Sequence, residues 1–326
     1  MIAARMSICR ALMLNGAAVA SFVLLGVSFT PTAAARMRCS YSEAPRHLLT
    51  VTADRDALGE ITRRGRRIVV REFLERRRPC RGGVPTVLNT DTIRVFLRTD
   101  DDNVDVLLRG GPFAPGATPE RNGRSEIEID IRGPDAYGEV HGTSGADEFR
   151  WGPGRGKHPG LNLNPRGGDG DVDVIVPGRG DAFLVASGGA GNDTIGTAHG
   201  APFPNDGVYS VGGPGDDLLI APRNKWGILE GEGGDDVLLG GREGDDLAGG
   251  DGDDRVTGAG GGDSIRAGPG RDLVSGGPGR DRIRSFDSER DRVDCGTNRD
   301  RARADRQDRL RGCEVVLHDP PPPTGD

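Results

Sequence analysis

Between Gly231 and Arg284 one apolar position returns every nine residues, at Leu238, Leu247, Val256, Ile265, Val274 and Ile283. Two residues ahead of each stands an acid: Asp236, Asp245, Asp254, Asp263, Asp272 and Asp281. The six units run without a gap as GEGGDDVLL, GGREGDDLA, GGDGDDRVT, GAGGGDSIR, AGPGRDLVS and GGPGRDRIR. Two further copies stand apart, GGAGNDTIG from Gly188 and GGPGDDLLI from Gly212, which carry Asp193 and Asp217 in the acid place. An earlier variant, GTSGADEFR from Gly142, keeps the acid at Asp147 and the apolar residue at Phe149, and the segments around Asp173 and Asp181 read as degenerate copies. Helix is implausible across this stretch, because each recurring Gly costs about 1 kcal/mol against Ala. Each unit instead divides into a six-residue turn and a short strand, so the region predicts a stack of thin layers.

Upstream, from Arg36 to about Val140, the pattern changes to period two. Thr92-Ile93-Arg94-Val95-Phe96 and Glu126-Ile127-Glu128-Ile129-Asp130-Ile131 alternate polar and apolar residues, as half-buried strands do. Leu48–Thr52, Arg67–Phe73 and Val104–Leu108 are the other predicted strands, separated by Gly/Pro punctuation such as Gly110-Gly111-Pro112. The first 35 residues read as an export signal: Arg5 and Arg10, an apolar run from Ala11 to Phe29, then Ala33-Ala34-Ala35. A retained membrane anchor is the alternative, opposed by the Asn15-Gly16 interruption. The expected organisation is therefore a signal at 1–35, a β-rich domain at 36–140, a repeat roll at 141–284, a cap at 285–319 and a Pro-rich tail at 320–326.

Composition supports thin layers over one thick core: Gly makes up 54 of 326 residues and aromatics only 4%. The formal charge of -7 and the interleaving of eleven arginines with nine acids from Arg280 to Glu314 argue against a nucleic-acid stripe and predict an ion-paired, solvent-facing cap. A basic cluster from Arg63 to Arg81 reads as a solvated face, with anionic wall polymers or lipids as the functional alternative. Beyond the signal, Cys39, Cys80, Cys295 and Cys313 form an even set, which in an oxidising compartment implies disulfides. Three pairings are open; Cys39–Cys80 with Cys295–Cys313, one staple per end, is the expected one. A zinc site lacks any C-x-x-C or Cys/His spacing to support it.

The nonapeptide carries its own chemistry. Glycines at positions one, two and four, among them Gly188, Gly212, Gly249, Gly258 and Gly276, admit backbone conformations that turn carbonyl oxygens inward. The position-six acids Asp193, Asp217, Asp236, Asp245, Asp254, Asp263, Asp272 and Asp281 add carboxylates. Carbonyl and carboxylate oxygens are the hard ligands that Ca²⁺ prefers at roughly 2.3–2.6 Å. Because two units make one coil, each ion is expected between copy n and copy n+2.

The same pattern, G-G-x-G-x-D-x-U-x, resembles the haemolysin-type or repeat-in-toxin calcium-binding family. That resemblance implies an all-β fold, a right-handed parallel β-roll with Ca²⁺ between stacked turns, preceded by the β-rich domain and closed by the small cap. Asp294-Cys295-Gly296 and Gly312-Cys313-Glu314 look like the caps of secreted actinobacterial members. The chain departs from the pattern at Glu243, Glu232, Ala259 and Ala267, and its N-terminal signal differs from the C-terminal one many members use.

No H-E-x-x-H, G-x-S-x-G or P-loop occurs, and the five histidines keep no metal spacing. The reading is a secreted or cell-surface calcium-binding protein of structural, adhesive or matrix role, folding on extracellular calcium. Cell-wall polysaccharide or another extracellular polymer is its candidate partner; neither nucleic acid nor an integral membrane partner is expected. The alternative is a secreted polysaccharide-modifying enzyme with its active site in residues 36–140, which clustered carboxylates in a groove there would favour.

Overall fold

A computed structural model describes residues 36–43, 47–54, 57–72, 80–87, 90–98, 103–108, 127–133, 137–153, 159–163, 173–175, 183–197 and 207–318. The expected signal and the Pro-rich tail lie outside the described residues, as does Asp181. Among the described residues there is no α-helix, and none long and apolar enough to cross a membrane.

Two sheets, of 14 and 12 strands, carry the whole of this region. Along the repeats, the chain alternates between them at each nonapeptide. Strand Val237–Leu239 pairs in parallel with Arg255–Thr257, which pairs with Leu273–Pro278 in the same sheet. The intervening copies, Asp246–Asp251 and Ser264–Arg266, pair in parallel in the other sheet. Register therefore advances by 18 residues per coil, as Leu238↔Val256 and Leu247↔Ile265 show. The position-eight aliphatics of both sheets point between them: Leu238, Leu247, Val256, Ile265, Val274 and Ile283 are all 3% exposed or less. One buried aliphatic per nine residues makes a thin core.

The N-terminal segment is built on the same plan. Leu48–Asp54, Thr92–Leu97 and Glu128–Arg132 pair in parallel in one sheet, while Leu58–Arg64, Asn103–Leu107 and Tyr137–His141 pair in parallel in the other. Three strands unmarked in the hydropathy pattern, Arg36–Ser42, Leu58–Arg64 and Tyr137–His141, complete it. Tyr137–His141 pairs with Phe183–Ser187 and so leads into the repeats in one sheet, while the other sheet passes through Pro159–Asn162, which pairs antiparallel with both neighbours. The core here is thicker. Ile61, Ile93, Ile129, Ile131, Phe149 and Trp151 are all essentially inaccessible, and the Trp151 indole N–H donates to Ser210 Oγ at 3.0 Å. That contact makes Trp151 a packing residue.

Both ends are fastened. At the first edge Arg36–Ser42 and Arg67–Glu72 fold back antiparallel on their neighbours, and Cys39 is bonded to Cys80. At the other end Cys295 is bonded to Cys313, 18 residues away, tying Arg292–Thr297 to the turn before the final strand Val315–His318. Closing a loop of this size removes unfolded-state entropy worth about 3 kcal/mol. Replacing both cysteines by Ala is expected to lower unfolding stability in saturating calcium by about that amount, measured by denaturant titration; an unchanged midpoint would show that the last coils are held without the bond.

Candidate calcium-binding turns

The acids of position six line the turns at the two edges of the roll. In each, the carboxylate is shared between consecutive coils. The Asp236 backbone N–H donates to Asp254 Oδ1, and that of Asp254 to Asp272 Oδ1, at 2.8 and 2.9 Å. Extended in both directions, one ladder runs Asp147, Asp193, Asp217, Asp236, Asp254, Asp272, Asp291 and Asp308. The opposite edge holds Asp245, Asp263, Asp281, Asp300 and Glu314. Asp193, separate from the tandem block in sequence, thus stands on the same ladder as Asp254.

Oδ1 is accounted for; Oδ2 is not. In Asp193, Asp217, Asp236, Asp254, Asp263, Asp272, Asp281, Asp291 and Asp300 the second oxygen is buried with no hydrogen-bond partner. A desolvated carboxylate oxygen without a donor is costly, and the cost points to a cation. The surroundings are shaped for one. A Cβ placed on Gly249 would lie 2.2 Å from Asp254 Oδ2 and 2.5 Å from the Ala267 carbonyl oxygen, so only Gly leaves that cradle open. Gly188, Gly212, Gly258 and Gly276 stand in the same relation to Asp193, Asp217, Asp263 and Asp281. Buried carboxylate oxygens with carbonyl oxygens beside them, and no nitrogen or sulfur, form the donor set of a hard divalent ion. The residues present therefore fit Ca²⁺, which would neutralise the carboxylates and crosslink successive coils.

Copies that break the pattern behave differently. Asp245 Oδ2 already accepts from the Gly241 N–H at 2.7 Å, in the unit where Glu243 replaces the position-four Gly. Asp147 Oδ2 accepts from the Thr143 N–H and hydroxyl. These two carboxylates are satisfied by their own turns. Glu232 and Ala259, by contrast, keep the turn by adopting φ of 80° and 70°, a strained conformation for residues with a side chain.

The segment expected as a cap continues the ladder. Residues 295–303 (CGTNRDRAR) form a further unit with Asn298 at φ 95° in the position-four place and Asp300 as its acid. Before it, a ten-residue unit places Asp291 one residue late, which hides it from a strict nine-residue register. Asp272, Asp287 and Asp291 each bring one carboxylate oxygen within 4.8 Å of the others. The Asp291 and Asp300 carboxylates escaped the pattern; their signal was the Asp-Arg-aliphatic run without flanking glycines.

Outside position six, the position-five side chains Asn192, Asp216, Asp235 and Asp253 form a second, exposed ladder of backbone contacts, ending on the Arg271 N–H. Those neighbouring acids face outward, as the pairing of Asp253 with Arg271 at 2.7 Å shows. Asp173, a degenerate copy, is buried and accepts from the Leu163 N–H.

Burial lifts the ladder carboxyls well above the ordinary range. Asp236 and Asp263 are pushed up to about 7 and Asp272 to about 8, chiefly by desolvation, with neighbouring carboxylates adding to the rise and the donated N–H partly opposing it. Folded pKa values above the unfolded one mean that this contribution to metal-free stability is full below about pH 4 and is lost as pH rises through 6–8. The ion needs the deprotonated form. Metal-free protein is thus expected to hold more β-structure at pH 5 than at pH 8 by circular dichroism, and the further β-signal gained on adding calcium should be larger at pH 8 than at pH 5. Opposite trends would contradict the buried ladder. Asp254→Ala, which removes an open oxygen facing two coils, should lower calcium stoichiometry by calorimetry more than Asp245→Ala; equal losses would contradict the distinction between them.

Residues 185–196, 228–247 and 248–283 match the RTX calcium-binding nonapeptide repeat family, in four copies. No curated protein and no solved structure is significantly similar to the chain.

Proposed function

We propose, from the premise that this chain carries RTX calcium-binding nonapeptide repeats, that it is an exported structural or adhesive protein whose roll is assembled by calcium outside the cell. The calcium-binding β-roll is the secure part. Nine buried, unpartnered Oδ2 atoms carry the rest: a fold that depends on an ion at every coil suits a compartment where calcium is abundant. The signal-like residues 1–35 and two disulfides support export. Asp193, Asp217, Asp236, Asp254, Asp263, Asp272 and Asp281 are the proposed ligands from the tandem pattern, joined by Asp291 and Asp300.

The thin core explains why folding and binding are coupled. One aliphatic per unit stabilises little against the entropy of ordering nine residues, and the turn carboxylates repel along each edge. Each site held at 100 times its dissociation constant adds about 2.7 kcal/mol. Full-length protein in EGTA should show weak β-signal from the repeats and gain it cooperatively between micromolar and millimolar calcium, with magnesium a poor substitute because of its small octahedral shell. A full β-spectrum in EGTA, unchanged by calcium, would sink the proposal.

One observation favours the enzyme reading. Asp105, Glu139 and His141, on paired strands of the N-terminal half, bring one ligand atom each within 4.8 Å of one another, and Glu60 stands in register beside Asp105. The spacing is tighter than the roughly 5–9.5 Å between the two carboxyls of most glycosidases, which suits a shared proton or cation better than two-carboxylate hydrolysis. The enzyme reading requires release of reducing ends from a polysaccharide and its loss in Asp105→Asn; the structural reading expects no release from the wild type.

A further inference from the structure

The arginines of the C-terminal coils are not spread among the acids that accompany them in sequence. The position-six acids turn inward at the edges: Asp281, Asp291 and Asp300 are at most 1% exposed. The arginines stand on the sheet. Arg266, Arg284 and Arg303 are in direct register on three neighbouring parallel strands, and Arg282 and Arg301 form a second row beside them. All five are exposed, and the residues between them, Ile283 and Ala302, face the core. Arg266 is ion-paired to Asp246 at 3.0 Å. Among the described residues Arg282, Arg284 and Arg301 have no carboxylate at ion-pair distance. Arg303 lies over the ring of Phe286, 5.7 Å from its centre, and that ring is itself 38% exposed.

Like charges directly opposite on paired strands are destabilising. Arginines in register on one sheet face therefore oppose folding unless something anionic lies against them, and among the described residues Arg282, Arg284 and Arg301 have no such carboxylate. Calcium in the turns sharpens the asymmetry, because it neutralises the acids of these coils and leaves the guanidinium groups as their outward charge.

We propose that this face binds a linear acidic polysaccharide. It deepens the extracellular reading above and rests on it only for the calcium that folds the coils. The dimensions favour such a chain: strands recur every ~4.8 Å across the sheet, close to the length of one sugar ring, and alternate residues along a strand lie about 6.6–6.8 Å apart. A chain crossing the strands meets one guanidinium per strand, each able to grip a carboxylate or sulfate with two parallel N–H bonds. Phe286 offers an apolar platform at the rim. Double-stranded nucleic acid is a poorer fit, since the face has neither a groove-entering element nor interleaved aromatics. An anionic bilayer is likewise a poorer fit, since the grid itself has no apolar side chains between the arginines.

The test uses full-length protein in saturating calcium, applied to immobilised heparin and immobilised hyaluronan, with neutral dextran as blank. Retention on both acidic polymers, eluted by salt as exposed charges require, is expected, with none on dextran. The triple variant Arg282→Glu/Arg284→Glu/Arg301→Glu should pass through at the salt that holds the wild type, while keeping its far-UV spectrum in calcium. Should that variant fail to fold, Arg284→Gln/Arg301→Gln, which only removes charge, should elute at lower salt than wild type. Arg63→Gln/Arg64→Gln, in the N-terminal basic cluster, should elute as wild type does. Elution of the Arg282, Arg284 and Arg301 variants at wild-type salt overturns the assignment. So does binding to duplex DNA or to phosphatidylserine vesicles that resists salt as well as binding to the polysaccharides. A protein that folds with calcium and ignores both polymers overturns this surface alone and leaves the calcium reading standing.

Discussion

Nine turns of the repeat solenoid close with a carboxylate whose one oxygen accepts a backbone N–H from the coil before it and whose other oxygen is buried and open. That arrangement stacks the chain and at the same time leaves it incomplete. The donated N–H holds Asp254 and its equivalents in place. Desolvation of the open oxygen, aggravated by the next carboxylate along the edge, raises the cost of every coil added. A divalent ion reverses the sign of both effects, because it replaces lost hydration and turns neighbouring repulsion into a shared attraction. The glycines, the strand length and the thin interior all follow from making room for it.

The two halves of the solenoid meet the same topological demand with different materials. In the N-terminal half, parallel strands separated by long connections bury Ile93, Ile129, Phe149 and Trp151, side chains large enough to fill the space between sheets. Along the repeats the interior shrinks to one Val, Ile or Leu per unit, and stabilisation moves to the edges. Apolar burial thus contributes more to the first half than to the repeats, where each unit supplies one aliphatic side chain.

Legibility in the sequence followed regularity. The nine-residue spacing of Asp236 to Asp281 exposes both the coil and its acids, because a chain without stacked coils has no cause to keep so long a register unbroken. Asp291 was hidden by a single inserted residue and Asp300 by the replacement of Gly with Cys295 and Asn298, although the backbone conformation is the same. Asp245 shows the converse: its acid and aliphatic places are kept, yet with Glu243 in place of the position-four Gly the Gly241 N–H reaches its free oxygen first. Period-two alternation identified strands such as Thr92–Leu97, but it carries no information on pairing direction. That the strands of residues 36–140 other than Arg36–Ser42 and Arg67–Glu72 run parallel, continuous with the repeats, depends on contacts 30 to 45 residues apart in sequence, which no local pattern encodes.

Net charge also concealed an arrangement. Acids and arginines alternate closely from Arg280 to Glu314, and a count along the row suggests mutual neutralisation. The fold separates the position-six acids from the arginines, because position six belongs to a turn and positions seven and nine belong to the outer face of a strand. A nine-residue unit holding Asp at one place and Arg at the others thus writes two surfaces at once, an anionic edge for a small hard cation and a cationic face for a long polyanion. Repetition then gives each surface its reach, since every coil adds one carboxylate to the edge and up to two guanidinium groups to the face. Calcium that ordered the coils would also set the spacing of the arginines, so the ion-binding edge would govern the face without touching it.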